Sequence, residues 1–357
     1  MLKIFSSPHT HSARSANVNR LMLDVLLALI PGILVMTYFF GYGTLINIIW
    51  ASLLALDIEA GVMLLRGRPP LFYLRDCSAL VTAFLLALAL PPYAPWWLTL
   101  IGIVFAILIA KHLFGGLGYN PFNPAMVGYV VLLVSFPLQM SQWPAPQGLL
   151  TDEFTTPGLQ ESLQLIFVSS SEVLDAYTAA TPLDVMRQNT GLIVDQLYAE
   201  TPLFSQASLS AVGFEWVSLA YLLGGIYLLT RRVFTWHGPV GMLASLALLA
   251  AVFYDGGSSA SKGSPLFHLM TGATMMAAFF IVTDPVSGAT SNLGRLIFGI
   301  GVGALVFIIR SWGNYPDAVA FAVLLMNFAA PFIDYYTQPK TYGHQKRSRI
   351  KFSAGDD

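Results

Sequence analysis

Apolar runs long enough for helices that cross ~30 Å of hydrocarbon recur ten times along this chain. They fall into two groups of five, at 21–40, 44–65, 77–90, 95–110 and 124–136, then at 212–230, 239–254, 266–283, 294–310 and 317–336. Several are short and flanked by Pro or Gly, notably 77–90 and 124–136, which predicts broken or tilted helices buried among others. The expected fold class is therefore all-α, a polytopic membrane protein of about ten spans. An odd number of spans per half reverses direction between the halves, so the two groups predict an inverted repeat. Leu80-Val81-Thr82 before Pro91-Pro92 is echoed by Leu269-Met270-Thr271 before Asp284-Pro285, and the Gly115-to-Pro124 break by Asp284-Pro285-Val286-Ser287-Gly288.

Composition agrees with the pattern. Among 357 residues, 55% are hydrophobic and 10% charged, with mean hydropathy +0.65, whereas a soluble domain carries roughly 25% charged residues. Eighteen Lys and Arg against 19 Asp and Glu leave no basic surface for nucleic acid. The single cysteine, Cys77, excludes an intrachain disulfide and an iron–sulfur cluster held by this chain alone.

Positive charge sets the expected orientation, because short loops rich in Lys and Arg stay cytoplasmic. Arg66, Arg68 and Arg75 follow the second run, Lys111 the fourth, Arg231 and Arg232 the sixth, Arg295 the eighth, and Lys340, Lys346, Arg347, Arg349 and Lys351 the tenth; Arg310 is the exception. The segment 137–211 holds Asp152, Glu153, Glu161, Glu172, Asp175, Asp184, Asp195 and Glu200 against Arg187 alone, which places it outside the cytoplasm. The expected organisation is a cytoplasmic segment 1–20 without a cleavable signal pattern, a membrane half 21–136, a periplasmic acidic loop 137–211, a second half 212–336 and a basic cytoplasmic tail 337–357.

Six separated blocks carry a resemblance. They are Ser6-Ser7-Pro8-His9-Thr10-His11, Pro91-Pro92-Tyr93-Ala94-Pro95-Trp96-Trp97, the stretch from Gly115 to Met126, Ala180-Thr181-Pro182-Leu183-Asp184, Gly294-Arg295-Leu296-Ile297-Phe298-Gly299, and Asp334-Tyr335-Tyr336. Over nearly its whole length the chain resembles the RnfD family of the Rnf ion-translocating electron transport complex, which is related to a membrane subunit of the sodium-pumping NADH:quinone oxidoreductase. The resemblance implies an inner-membrane subunit of a redox-driven pump for Na⁺ or H⁺, partnered by the other Rnf subunits, RnfA, RnfB, RnfC, RnfE and RnfG. It implies FMN joined through its phosphate to a threonine in a motif Asp-x-x-Ser/Thr-x-Ala-Thr, attached by a separate flavin transferase, and leaves room for a second, noncovalent flavin. Asp175, Thr178, Ala180 and Thr181 fill the motif, with Thr181 as the acceptor.

Residue-level physics fits that assignment. Small neighbours Ala179 and Ala180 leave room for a nucleotide, Pro182 disfavours the α conformation at Thr181, and the acceptor is expected on an exposed, pliable segment. The plain alternative makes Thr181 an N-cap, with Pro182 at the first helical position and Asp184 favouring the dipole; both readings can hold together, since a helix start favours an anion. Thr271-Gly272-Ala273-Thr274 and Ser287-Gly288-Ala289-Thr290 spell a similar short motif. His268 stands six residues before Thr274 and Asp284 six before Thr290, so Thr290 is set aside on membrane side alone.

Among acids in the apolar runs, Asp24, Asp57, Glu59, Glu215 and Asp334 are candidates for function, because charge in hydrocarbon is costly unless paired. Asp57 and Glu59 lie on different helix faces, so at most one faces a cavity; Asp57 is the candidate for an ion path, with a structural polar contact as the alternative. His112, His237 and His268 are the candidate haem ligands, at most one pair sharing a side of the membrane. The competing function is a solute channel or carrier through the repeat interface.

Overall fold

The computed structural model describes residues 18–149, 156–168, 174–189, 191–313, 315 and 318–337. The Ser-Pro-His-Thr-His block and the basic tail lie outside them. Among the described residues the architecture is all-α, with only an isolated bridge between Pro144 and Thr178.

All ten expected spans are helical. They are Val18–Phe40, Gly43–Leu65, Ser78–Ala89, Trp96–Ile103 continued by a wider π-helical stretch Val104–His112, and Pro124–Ser135, then Phe214–Thr230, His237–Val252, a broken eighth span, Asn292–Trp312 and Val319–Thr337. Four are long and apolar enough by themselves to cross a bilayer: Val18–Phe40, Gly43–Leu65, Asn292–Trp312 and Val319–Thr337. The eighth comes in pieces, Pro265–Met270, then Thr274–Met276 running into a π-helical turn Ala277–Ile281. The left-handed Gly272 (φ +62°) makes that break; a Cβ there would stand 2.7 Å from Arg310 Nη2 and 2.8 Å from Leu183 Cδ1.

With lipid outside, helices associate by close packing, and small residues let backbones approach. The seventh and ninth spans use them in register. A Cβ on Gly299 would lie 2.2 Å from the Gly238 carbonyl, and one on Gly303 2.2 Å from that of Met242. The Pro91-Pro92-Tyr93 turn is anchored rather than loose: Asn47 Nδ2 donates to the carbonyls of Pro92 (2.9 Å) and Pro91 (3.3 Å), and the Tyr93 hydroxyl donates to Phe40 O at 2.9 Å.

The segment 137–211 differs from the pliable loop expected. Its described part is a folded cap of short helices, including Leu159–Phe167, Pro182–Gln188, Val194–Glu200 and Pro202–Ser205. Leu183, Met186, Leu197, Leu203 and Phe204 bury one small core with Phe267 of the eighth span, and Leu165 and Leu174 pack on Tyr93. The cap is thus seated on the membrane helices by apolar contacts that sequence alternation could not announce.

Gly303→Leu should force the seventh and ninth spans apart at a cost of about 1–3 kcal/mol, the usual penalty of overpacking. Fluorescence-detected gel filtration after heating the solubilised protein should show a lower midpoint temperature.

Candidate functional site

The residues of the expected attachment motif sit in one turn and the helix that follows it. The segments around Trp143 and Thr178 pair briefly antiparallel: Ala145 N donates to Tyr177 O (3.0 Å) and Ala179 N to Trp143 O (2.9 Å). Thr178 Oγ1 donates to Asp175 O at 3.0 Å and lies 3.3 Å from Asp175 Oδ1. The neighbouring Tyr177 hydroxyl donates to Glu161 at 2.5 Å, and that bond, followed by burial, pushes the phenol up to about 12. Asp175 and Ala180 are exposed.

Thr181 is set apart from Asp175 and Thr178 by its own partner. Its backbone is extended (φ −71°, ψ 159°), as Pro182 requires, and it caps Pro182–Gln188 in a reciprocal capping box. The Asp184 amide donates to Thr181 Oγ1 at 3.3 Å, while the Thr181 hydroxyl (2.6 Å) and amide (3.3 Å) both donate to Asp184 Oδ2. Thr181, the expected acceptor, is therefore half-buried and held, in contrast to the freely displayed hydroxyl expected. The cap reading and the extended backbone coexist.

Beside Thr181 opens a cavity of about 700 Å³. Thr181, Asp184 and Arg187 line it from the cap; Met36, Tyr129 and Tyr221 come from the first, fifth and sixth spans, and Gly272 and Met276 from the broken eighth. Both membrane halves contribute to its wall.

The two similar motifs have other surroundings. Thr274 is fully buried, its hydroxyl donating to His268 O (2.8 Å) and accepting from Arg310 Nη1 (2.9 Å). Thr290 is exposed, but lies beyond the far end of the eighth span, where its amide donates to Asp334 Oδ1 at 2.8 Å.

A second cluster gathers around the other acid of the second span. Asp57 is exposed on the outer face of the second span, whereas Glu59 is buried. Lys111 Nζ stands 2.6 Å and His112 Nε2 3.3 Å from Glu59 Oε1, and Lys111 also donates to Ser78 Oγ at 2.7 Å. Lys111 is thus 2% exposed inside the helices, so its charge is no topological marker of a loop. Glu59 and His112 help line a cavity of about 540 Å³ near Arg68, Arg75 and Asp76. The candidate haem ligands are dispersed: His112 faces Glu59, His237 stacks on Trp236 with centroids 4.1 Å apart, and His268 Nε2 faces Lys262 O at 2.8 Å.

Residues 3–343 match the NQR2, RnfD, RnfE family. The chain belongs to that family. It is 58% identical over 352 residues to the subunit designated D of the ion-translocating oxidoreductase complex of Pseudomonas aeruginosa (strain UCBPP-PA14), covering 98% of each chain. The protein of the same name from Cellvibrio japonicus (strain Ueda107) is 55% identical over 345 residues, covering 96% of each. That from Vibrio cholerae (strain ATCC 39541 / Classical Ogawa 395 / O395) is 52% identical over 358 residues, covering 96% of this chain and 99% of the relative.

Two substitutions probe these geometries. Asp184→Ala removes half of the capping box and should cost about 1 kcal/mol, seen as faster limited proteolysis within 174–211. Lys111→Met leaves Glu59 buried without its cation and should cost about 3–5 kcal/mol. Adding Glu59→Gln should restore most of that loss in a thermal double-mutant cycle.

Proposed function

We propose that this family member is the RnfD component of an inner-membrane, redox-driven ion pump, and that it carries FMN esterified through its phosphate to Thr181. The observation that carries the flavin reading is that Thr181 lines a cavity of about 700 Å³ whose other walls are mostly apolar and aromatic side chains with few polar groups. Cofactor pockets have that size, ~300–1,000 Å³, and that character. The relatives' shared name supplies the complex and its ion-translocating oxidoreductase activity.

The chain's own residues divide the work. Thr181 gives the tether, and the Pro182–Gln188 helix fixes it against the eighth span through Leu183. Arg187, on that helix and on the cavity wall, offers a cation toward a phosphodiester. Met36, Tyr129 and Tyr221 line the space a ring would fill and would pack against it. A flavin bound there supplies one- and two-electron chemistry, while the protein supplies position and electrostatics. Its partners are the other Rnf subunits, RnfA, RnfB, RnfC, RnfE and RnfG, with a flavin transferase for attachment; the cap faces the periplasm and both termini the cytoplasm. A second, noncovalent flavin belongs to the same proposal without an assigned site.

The two halves form the inverted repeat. Supporting this, the third and eighth spans each start a helical piece after a left-handed residue, Cys77 (φ 60°) and Gly272 (φ 62°). Near the ends of the fourth and ninth spans, Lys111 and Arg310 each donate to a hydroxyl at such a start, Ser78 and Thr274.

In-gel ultraviolet fluorescence of the denatured chain, made together with its transferase, should show a bright band that Thr181→Val abolishes. Mass spectrometry should find the flavin phosphate on the peptide containing Thr181. A band that survives Thr181→Val moves the attachment elsewhere, and a dark wild-type chain overturns the flavin reading.

A further inference from the structure

Acids in the membrane helices of this chain obey one rule with one exception. Glu59 meets Lys111 at 2.6 Å. Asp24 meets Arg231 at 3.3 Å and the Tyr227 hydroxyl at 3.1 Å. Glu215 takes the amides of Ser208, Leu209 and Ser210 at 2.6–3.0 Å, and Asp334 takes the Thr290 amide. Asp57 has no hydrogen bond or ion pair among the described residues, and its side chain is exposed.

Its depth makes that exposure costly. The second span runs from Gly43 to Leu65 without interruption, so at ~1.5 Å per residue Asp57 lies about 21 Å from one end and about 12 Å from the other, inside the hydrocarbon. An aspartate is too short to reach water from there, unlike the long Lys and Arg side chains that snorkel. The residues that share its face confirm which way it points. Ile49, Leu53 and Leu64 are 62%, 53% and 67% exposed, and a Cβ on Gly61, one turn from Asp57, would have nothing within 4 Å. A carboxylate one turn from an open glycine suits another helix: the glycine lets its backbone come close, and the acid demands a donor.

We infer that the Leu53–Asp57–Gly61–Leu64 face of the second span is a docking surface for a transmembrane helix of a different subunit, one that brings a Lys or Arg to Asp57. The inference rests on the chain working as one subunit of a membrane complex, but not on the flavin. Charge complementarity selects the occupant, since acyl chains and a second copy of this acidic face both leave the carboxylate uncompensated. The relation is the intermolecular counterpart of Lys111 with Glu59, two residues along the same helix on its inner side.

The test uses the whole complex in native membranes. A photo-crosslinking benzoyl-phenylalanine at Leu53 or Leu64 should join this chain to another subunit on irradiation, with mass spectrometry placing the adduct in a transmembrane helix near a Lys or Arg. Asp57→Leu should cut the amount of other subunits co-purifying with this chain at least fivefold, and Asp57→Arg more, while gel filtration of the tagged chain stays monodisperse. Adducts with lipid alone or with a second copy overturn the inference. So does an Asp57→Leu complex of unchanged composition, the result expected of a face that meets only acyl chains. In-gel flavin fluorescence of the same samples is read in parallel: a bright band with unchanged subunit composition rejects the docking face and leaves the flavin reading standing, and a dark wild-type band does the reverse.

Discussion

Where the eighth span breaks at Thr271-Gly272, carbonyls lose the partners a continuous helix would give them, and each buried polar group left unpaired costs several kcal/mol. Side chains take them. Arg310 Nη1 donates to His268 O at 3.1 Å, Thr274 Oγ1 donates to the same carbonyl at 2.8 Å and lies 3.1 Å from Thr271 O, and Ser218 Oγ donates to Met270 O at 2.8 Å. Only with these donors in place can the chain keep an irregular stretch at that depth. The break in turn lets Gly272 receive Leu183, and so seats the helix whose N-cap is Thr181.

Lys111 performs a related task at the opposite side. A buried ammonium is stable only if its lost hydration is replaced, and Glu59 at 2.6 Å with Ser78 at 2.7 Å replaces it. The π-helical stretch Val104–His112 delivers it, because widening the turn swings Lys111 and His112 inward together. Around the cavity that Lys111 also lines, polar groups link the halves: Asn123 N donates to Asn327 Oδ1, Asn327 Nδ2 to Ser287 O, and Ser287 Oγ to Asp284 Oδ2.

The spans were legible in the sequence because hydrocarbon admits only helices whose length it dictates, so an apolar run such as 294–310 becomes Asn292–Trp312 with little latitude. The interruption within 266–283 was hidden, since Thr271 and Gly272 are compatible with an apolar helix and their partners Arg310 and Ser218 lie far off in sequence. For the same reason Arg310 read as an exception to the positive-inside pattern and Lys111 as a loop cation. Helical periodicity separated Asp57 from Glu59 correctly, yet which face turns inward is decided by Lys111, 52 residues away. At the candidate site, Thr181-Pro182-Leu183-Asp184 announced its cap by local chemistry. The folded cap around it was illegible, because its core joins Leu183 and Phe204 to Phe267 across the whole segment.

A tether on Thr181 gains its value from that seating. Esterifying Oγ1 removes the hydroxyl proton now given to Asp184, but the Thr181 amide still donates to the same carboxylate, and Leu183 and Met186 remain buried. The helix would therefore keep its hold if the hydroxyl were modified, and a group carried there would be positioned by contacts with the eighth span rather than by a flexible arm. That span also reaches a second cavity: its π-helical turn gives Ile281 to the space beside Thr181, and Phe279 and Phe280 to the one lined by Asn123 and Asp284. Helices with such turns are less regularly bonded than the long spans around them. The first, third, fifth and sixth spans also line both cavities, but the eighth is the one among these five that is interrupted by a left-handed residue and continued by a π-helical turn.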